Sequence, residues 1–418
     1  MRNDWVQTTV GDLIRAKGGS IKTGPFGTVL KANEYSTDGV PVISVGEIGY
    51  GSFRLHRATP RVPPAVLARL PEYVLKAGDI VFGRKGAVDR SALVRNSEAG
   101  WFLGSDGIRL RLSDECDPSF FAYQIQSPAT RAWLLQHATG TTMASLNQGV
   151  IERIPVVVPP LFEQREMAGI LRPLDEKIDL DRRMNQTLEA LAQALFRSWF
   201  SQFISRPEVQ VPVKILLDEG ALAIGDGYRA KNSEMADTGL PFVRAGDVSD
   251  GFALDGADLL GDEALSKARE KVSRRGDVVF TSKGTVGRFA RVTARTAPCV
   301  YSPQLCYWRP LIQDRVNPIF LWHWLRSSEF WAQAAAVKGQ TDMADYVNLR
   351  DQSRMKISLP PIEDQMEIAQ VLEPLDERID HNRTESRTLA ALRNMLLPKL
   401  LSGESRVRDA AAQLAASA

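Results

Sequence analysis

The chain has 418 residues, and at about 150 residues per domain this length predicts two or three domains. Hydrophobic residues make up 44% and charged residues 24% of the sequence, an ordinary globular balance that excludes disordered, collagen-like and membrane-embedded classes. Because 52 Lys and Arg face 50 Asp and Glu, the net charge is only +2, so any anion-binding surface must be local.

Three cysteines, Cys116, Cys299 and Cys306, are too few for a disulfide framework, and none has the C-x-x-C spacing of a zinc site or redox pair. The N-terminal segment contains no apolar stretch typical of an export signal. No run approaches the roughly 18 apolar residues that a membrane helix needs. We therefore expect a protein of a reducing compartment, the cytoplasm.

The sequence repeats itself with an offset close to 200 residues. At an offset of 200 residues, Gly27 matches Gly227 and Lys31 matches Lys231. One offset held so closely across separate blocks indicates an internal duplication. The main matching blocks are 39–48 with 239–248, 78–82 with 276–280, and 159–191 with 360–392.

Each copy predicts an α+β domain followed by a helical segment. Short β-branched runs such as 40–45 and 79–82 alternate with Gly and Pro turns, and one helix is expected near 119–136. Asp117 and Asn317, each followed by Pro, are typical helix caps. The predicted boundaries are a first α+β domain at 1–158, a helical segment at 159–206, a second α+β domain at 207–358, a second helical segment at 359–404 and a tail at 405–418.

The two helical segments carry narrow apolar stripes that favour packing of one helix against the other, antiparallel and coiled-coil-like. Polar residues interrupt both stripes, at Asp181 and Asn185 and at Asn382 and Ser386, where such residues often determine the register of a coiled coil. Thirty helical residues would span roughly 45 Å, enough to hold two domains apart. The alternative is that each helix lies only on its own domain.

The usual catalytic patterns are missing from the sequence. His56, His137, His323 and His381 lack the spacing of a metal site, so core or solvated roles are favoured. The glycine-rich turn at 83–86 lacks the order of a phosphate-binding loop. Asn317-Pro-Ile-Phe differs from the N-P-P-[YF] loop of amino-methyltransferases in its third residue. We therefore expect no catalytic site, metal or cofactor in this chain.

Duplication without catalysis favours a ligand with two similar halves, and double-stranded DNA is the obvious candidate. Cations on glycine-flanked turns can approach phosphates and base edges closely, Arg favouring guanine and Lys favouring phosphate. Solvated turn charges are the alternative for each residue taken singly. The candidate DNA-binding residues are Lys22, Lys31, Arg84, Lys85, Arg90, Arg229, Lys231, Arg244, Lys283 and Arg288.

The chain resembles the specificity (S) subunits of type I restriction-modification systems over nearly its whole length. Six segments carry the resemblance most strongly: 161–165, 174–178, 196–200, 362–365, 375–379 and 397–404. The segment Gly24-Pro25-Phe26-Gly27 and the two Gly-Asp-Ile/Val blocks, at 78–80 and 276–278, also resemble the family. The resemblance implies a non-catalytic subunit whose two target recognition domains each read one half of an asymmetric, bipartite DNA site.

The resemblance also implies partners. These are two adenine-N6 methyltransferase (M) subunits that use S-adenosylmethionine, and two restriction (R) subunits, endonucleases and translocases that use ATP and Mg. The helical segments would set the spacing between half-sites and dock the M subunits. The residues expected in this role are Leu174, Ile178, Leu188, Leu195, Trp199, Phe200, Leu375, Ile379, Leu389 and Leu396.

A second hypothesis belongs to a different functional class. The near-neutral charge also suits a structural adaptor that binds protein partners through its duplicated helices and recognises no DNA. Phosphate contacts make DNA affinity fall steeply with salt, which distinguishes the two hypotheses. An intact methyltransferase or nuclease is disfavoured by the missing motifs.

Overall fold

The computed structural model describes residues 5–140, 143–249, 251–283, 286–337 and 347–404. The chain forms two compact units: a first unit of Met1–Asp179 with Arg387–Ala418, and a second unit of Leu180–Ser386. Each unit contains one α+β domain and part of each of two long helices. The predicted tail at 405–418 lies outside the described residues.

In its described residues, the α+β domain of the first unit forms three sheets. The largest has five strands in the order β2-β9-β6-β7-β4, a second has the order β5-β3-β8, and β1 pairs with β10. The elements are β1 Val6–Thr9, α1 Val10–Lys17, β2 Gly19–Thr23, β3 Val40–Ile43, β4 Tyr50–Gly51, β5 Arg61–Val62, α2 Pro64–Arg69, β6 Ile80–Gly83, β7 Ser91–Leu93, β8 Phe102–Leu103, β9 Gly107–Leu112, α3 Pro118–Gln126, α4 Pro128–His137, α5 Gln148–Glu152, β10 Pro155–Val158 and the long helix α6 Leu161–Ile204.

The second unit repeats this plan. Strands in the order β12-β21-β18-β19 form its main sheet, β13-β17-β14-β20 form the next, β15 pairs with β16, and β11 pairs with β22. The elements are β11 Gln210–Pro212, α7 Val213–Asp218, β12 Leu222–Asp226, β13 Met235–Ala236, β14 Leu240–Val243, β15 Val248–Ser249, β16 Gly251–Phe252, β17 Leu259–Leu260, α8 Asp262–Lys267, β18 Val278–Thr281, β19 Phe289–Arg291, β20 Val300–Tyr301, β21 Leu305–Pro310, α9 Pro318–Trp324, α10 Ser328–Val337, α11 Leu349–Arg354, β22 Lys356–Ser358 and the long helix α12 Ile362–Leu401.

The register of the main sheets corrects one predicted match. Gly19 lies opposite Leu112 in the first unit, and Leu222 lies opposite Pro310 in the second. The strands therefore align at an offset of 203 residues, so Gly227 corresponds to Gly24 and the match with Gly27 was wrong. The sequence comparison missed a length difference in the loop that follows.

The single helix expected at 119–136 is two helices, α3 and α4. The break falls at Ser127, whose hydroxyl accepts the N–H of Thr130 at 3.3 Å and caps α4, while Pro128 supplies no N–H to continue α3. The predicted caps are confirmed: Asp117 accepts the N–H of Phe120, and Asn317 accepts the N–H of Ile319.

The two long helices are antiparallel, as the sequence predicted. They have 44 and 40 residues. In the second unit the amide of Asn382 donates to Asn185 at 2.8 Å, and the hydroxyl of Ser386 lies 3.5 Å from a carboxylate oxygen of Asp181. From Asp181 to Asn185 the residue numbers rise along α6, while the numbers of their partners in α12 fall from 386 to 382. The two helices therefore run in opposite directions. The polar residues that interrupt the apolar stripes therefore pair with one another.

Each unit builds its own hydrophobic core around its α+β domain and the adjoining helices. In the first unit the C-terminal end of α12, including Leu396 and Leu400, packs with α3 and with the start of α6. In the second unit Phe196 and Phe200 of α6 pack with α9. Among the described residues no helix is long and apolar enough to cross a membrane.

Candidate nucleic-acid interface

The turn after β6 in the first unit presents two of the predicted cations. Gly83 admits no side chain, because a Cβ there would lie 2.6 Å from the carbonyl oxygen of Ala87, and the turn closes tightly. Next to it, the half-buried guanidinium of Arg84 lies 4.3 Å from the ring centre of Phe26. Lys85 is exposed, and its ammonium lies 3.5 Å from the carboxylate of Asp106. The turn therefore carries one aromatic-stacked and one ion-paired cation.

Arg90 belongs to a neighbouring aromatic cluster. Its guanidinium lies 5.6 Å from the ring of exposed Tyr50, and the guanidinium of Arg131 lies 4.2 Å from the same ring. The carboxylate of Asp89 accepts hydrogen bonds from the Tyr50 hydroxyl at 3.0 Å and from Arg131 at 2.8 Å. Burial acts to raise the pKa of Asp89, but these two hydrogen bonds outweigh it and lower that pKa. Asp89 is thus held ionised, and it partly neutralises the cluster.

The other two predicted cations of the first unit lie on different elements. Lys22 is a half-buried residue of β2, with its ammonium 5.0 Å from the ring centre of Tyr73. Lys31 is exposed at the head of a 3-10 turn, where the Glu34 side chain accepts its backbone N–H at 2.7 Å. Arg84, Lys85 and Arg90 lie on one hairpin, since the N–H of Gly83 donates to the carbonyl of Arg90.

The predicted cations of the second unit are all exposed. Two of them converge on one loop. Arg288 donates to the carbonyl oxygen of Ala245 at 3.4 Å, while the neighbouring Arg244 pairs with Asp258 at 2.7 Å. Lys283 follows the central strand β18, and its neighbour Gly284 lies outside the described residues. Arg229 and Lys231 precede β13. The Glu234 side chain accepts the backbone N–H of Lys231, as the Glu34 side chain accepts that of Lys31.

The residues predicted to form the helical spacer pack mainly within the chain itself. Leu174, Leu389 and Leu396 contribute to the core of the first unit, and Leu195, Trp199, Phe200 and Leu375 contribute to that of the second. Ile379 is also buried, and Ile178 and Leu188 are half-buried. Different apolar residues of the helices are exposed: Phe162, Leu180, Leu191, Met366, Val371 and Met395. Periodicity finds the buried stripe of a helix and passes over such residues.

A buried glutamine at the start of each long helix ties that helix to its domain. The Gln164 side chain accepts the N–H of Asp117 at 2.9 Å and donates to the carbonyl of Pro159 at 2.7 Å. Gln365 accepts the N–H of Asn317 at 2.9 Å and donates to the carbonyl of Pro360 at 2.8 Å. Both glutamines stood in the repeated block, but repetition alone did not reveal their role.

Sequence reasoning also missed a charged pair that holds the main sheet of each unit. Arg111 binds Asp79 through two hydrogen bonds of 2.6 Å, and Arg309 binds Asp277 at 2.6 and 2.7 Å. In both units the arginine follows its aspartate by 32 residues. This equal spacing in the two copies was the sequence signal from which the pairs could have been predicted. These pairs place the β6–β7 and β18–β19 hairpins, which carry the candidate cations.

The described residues contain no group of three or more His, Cys, Asp or Glu arranged to hold a metal ion. Residues 2–190 and 223–390 match the family model described as type I restriction modification DNA specificity domain. The chain belongs to this family. Its two matched regions correspond to the two repeats, so the α+β domains are target recognition domains.

The sequences of known relatives align with most of the chain. The type I restriction enzyme MjaIX specificity subunit of Methanocaldococcus jannaschii is 22% identical, with 97% of this chain and 94% of the relative covered. The EcoBI specificity subunit of Escherichia coli is 23% identical, with coverage of 90% and 83%. A crystal structure of the type I S subunit from M. genitalium has the same fold, with a TM-score of 0.58, 15% identity and coverage of 96% and 97%.

Proposed function

We propose that this chain is the DNA sequence-specificity subunit of a type I restriction-modification complex. Each recognition domain binds one half of an asymmetric, split DNA site. The chain itself makes and breaks no covalent bonds. Adenine-N6 methyltransferase subunits with S-adenosylmethionine, and ATP- and Mg-dependent endonuclease and translocase subunits, supply the chemistry. The observation that carries this proposal is the family's recognition domain present twice, once in each compact unit.

The local charge of the recognition domains supports binding to DNA. Within the described part of the chain, Arg84 and Arg90 of the first unit and Arg229 and Arg288 of the second form no ion pair with a carboxylate. All four lie on loops or turns. Arginines without an ion pair in such positions suit contacts to phosphates and base edges, although the chain as a whole is nearly neutral.

The exposed apolar residues of α6 and α12 support docking of a protein partner on the helices. Phe162 is 63% exposed, and Met366 and Val371 are each 49% exposed. Exposed apolar side chains mark protein contacts where they form a contiguous patch. The methyltransferase subunits are the partners we propose for these exposed residues, taken separately in each unit.

The test is to coexpress the full chain with its methyltransferase subunit and map the methylated adenines. We expect methylation within one split sequence. When residues 1–158 are exchanged for the first domain of another family member, we expect one half of that sequence to change and the other to be retained. A simultaneous change of both halves would contradict the two-domain proposal.

A salt titration of duplex binding by the same complex provides the control against the adaptor alternative. Contacts to phosphates predict a steep fall of affinity as salt rises. Binding that does not depend on salt, or no binding to duplex DNA, would favour an adaptor that recognises protein partners alone.

A further inference from the structure

The two recognition domains differ in the loop that follows the first strand of the main sheet. In the first unit six residues, 25–30, separate Gly24 from Lys31, whereas in the second unit three residues, 228–230, separate Gly227 from Lys231. Both loops end in the same 3-10 turn, capped by Glu34 or Glu234. The first loop is therefore three residues longer between matched ends.

The longer loop places an aromatic ring on the surface. Phe26 is 49% exposed, and the guanidinium of Arg84 lies 4.3 Å from its ring centre. Stacking on an aromatic ring limits the orientations of a guanidinium and leaves its edge N–H groups available. Arg84 also donates one hydrogen bond, from Nη1 to the carbonyl oxygen of Ser105 at 3.3 Å. The side chain is thus oriented by two different contacts.

The backbone of Arg84 is held on both sides. Its N–H donates to the carbonyl of Asp106 at 2.8 Å, and its carbonyl accepts the N–H of Leu146 at 2.7 Å. The guanidinium is half-buried and, among the described residues, forms no ion pair. A cation fixed in place beside an exposed ring, with unused donors, is prepared to bind an acceptor from outside the chain.

The second unit has the same backbone arrangement without these side chains. Ser282 occupies the position of Arg84, since its N–H donates to the carbonyl of Gln304 at 3.0 Å and its carbonyl accepts the N–H of Val347 at 3.0 Å. Ser282 is buried, and its hydroxyl lies 3.4 Å from the Gln304 carbonyl. The aromatic residue of the short loop 228–230 is Tyr228, whose hydroxyl donates to Glu234 at 3.0 Å, and position 282 offers no guanidinium for it to orient. The Phe26–Arg84 pair is therefore a feature of the first unit.

We propose that Arg84, oriented by Phe26, reads a guanine in the DNA half-site bound by the first unit; this inference rests on the proposed function. Guanine presents O6 and N7 in the major groove, and the arginine fork donates to both at once. The aromatic face holds the fork in one plane, so little side-chain freedom is lost on binding. The half-site of the second unit receives no such contact from position 282.

The experiment maps methylated sequences for the full chain in complex with its methyltransferase subunit. Arg84→Ser installs the residue of the second unit, and we expect the preference for one guanine in the first half-site to fall by roughly 10- to 100-fold. The second half-site should be unchanged. Phe26→Ala should weaken the same preference to a smaller extent, because Arg84 is retained but less well oriented.

Two further variants make the result specific. Arg84→Lys keeps the charge but removes the fork, so it should relax the same position as Arg84→Ser. If Arg84→Ser weakens binding to all sequences alike and leaves the guanine preference intact, Arg84 contacts a phosphate and the inference is wrong. Arg15→Ser changes an exposed arginine of α1 that pairs with Asp12, and it should leave the methylated sequence intact.

The controls separate this inference from the proposed function. If the unchanged chain directs no methylation to a split sequence, the proposed function itself fails. If the unchanged chain does direct methylation to a split sequence, but Arg84→Ser retains every guanine of the first half-site, the inference that Arg84 reads guanine is refuted and the proposed function stands. Thermal unfolding of each variant checks that the first unit remains folded.

Discussion

The two units place matched aspartates of their long helices against different side chains. In the first unit Asp175 pairs with Arg393 at 2.6 Å, and Asp179 pairs with Arg95 at 2.6 Å. Tyr123 of α3 faces Asp175, and burial together with this carboxylate raises the pKa of the tyrosine. Arginines therefore provide the charged partners here, and the neighbouring aromatic residue stays neutral.

In the second unit the matched aspartate, Asp376, contacts His323 and Arg291, each at 3.2 Å. Burial acts to raise the pKa of Asp376, but the hydrogen bond with His323 and the nearby arginines outweigh it and lower that pKa. Asp380 lies 3.5 Å from Arg383, and its burial raises its pKa despite the nearby arginines. The acceptors are repeated between the units, whereas the donors are not.

The comparison of these partners shows that the duplicated helices retain their aspartates, whereas the residues that contact them have diverged. The aspartates come from the repeated Pro-Leu-Asp-Glu block, while the donors come from positions that diverged: position 93 is Leu where position 291 is Arg, and position 123 is Tyr where position 323 is His. The helices therefore keep their acceptors while the partners differ between the units: Arg95 and His323 come from the α+β domains, and Arg393 comes from α12. Domains with different loops can be attached to the same helices in this way.

The largest expected effect concerns the charged pairs of the main sheets. Asp277 and Arg309 are almost fully buried, whereas the Arg111 side chain that pairs with Asp79 is 28% exposed. Asp277→Ala leaves a buried arginine unpaired and should lower the free energy of unfolding of the second unit by about 3–5 kcal/mol. Asp79→Ala should cost about 1.5–3 kcal/mol in the first unit, because water can reach Arg111.

Hydrogen exchange of amides in β18 and β6 measures these losses separately for the two units. Each variant serves as the control for the other, since neither should alter exchange in the opposite unit. Equal losses for the two variants would contradict the view that burial of the arginine determines the difference.

An intermediate effect is expected at the glutamines that tie each long helix to its domain. Gln164→Leu and Gln365→Leu leave a backbone N–H and a carbonyl without their partner, and each should cost about 1–3 kcal/mol. Two hydrogen bonds are shared by both glutamines, and Gln365 adds a longer one to the carbonyl of Arg315 at 3.3 Å, so the two losses should be similar, with that of Gln365→Leu at least as large. Urea unfolding followed by exchange in α3 and α9 measures them. A loss in only one unit would show that this attachment is not shared.

The smallest effect is a pH dependence limited to the second unit. Burial lowers the pKa of His323 from its usual 6.5, against the opposing influence of Asp376 and with help from Arg326 and Arg291. Below pH 6.5 the unfolded chain takes up a proton that the folded unit does not, so stability is complete above that pH and is lost as the pH falls towards the folded value.

Exchange protection of the second unit should therefore decrease from pH 7 to pH 5.5, after correction for the intrinsic exchange rate. The first unit has Tyr123 at the matched position and should change less. His323→Gln cannot titrate and should remove the difference between the units. An equal decrease in both units, or one that persists in His323→Gln, would assign the effect to other groups.

Much of the fold was predictable from the sequence. The apolar stripes and their polar interruptions predicted two antiparallel helices, and the structure confirms them with Asn185 beside Asn382. Helix caps at Asp117 and Asn317 followed from local sequence. The break at Ser127–Pro128 was also encoded locally, but the apolar residues on both sides obscured it.

The candidate interface was predictable only in part. Glycine-flanked cations such as Arg84 and Arg288 could be named from their turns, but nothing in the sequence distinguished a stacked arginine from an ion-paired lysine. Phe26 was noted only within the segment Gly24-Pro25-Phe26-Gly27, and its contact with Arg84 was not predicted, because it lies in a loop whose length differs between the copies. Their roles in DNA binding remain predictions.

The sequence by itself determined that there are two α+β domains, two long helices and one repeated plan, because periodicity, caps and repeated blocks depend on neighbours in the chain. Only the tertiary structure decided which donor faces each helix aspartate, and that Phe26 lies against Arg84. Those contacts join residues distant in sequence, and their geometry depends on how sheets and loops pack together. The two domains share a scaffold because local sequence patterns are repeated in both copies. Their surfaces differ because contacts between distant residues differ.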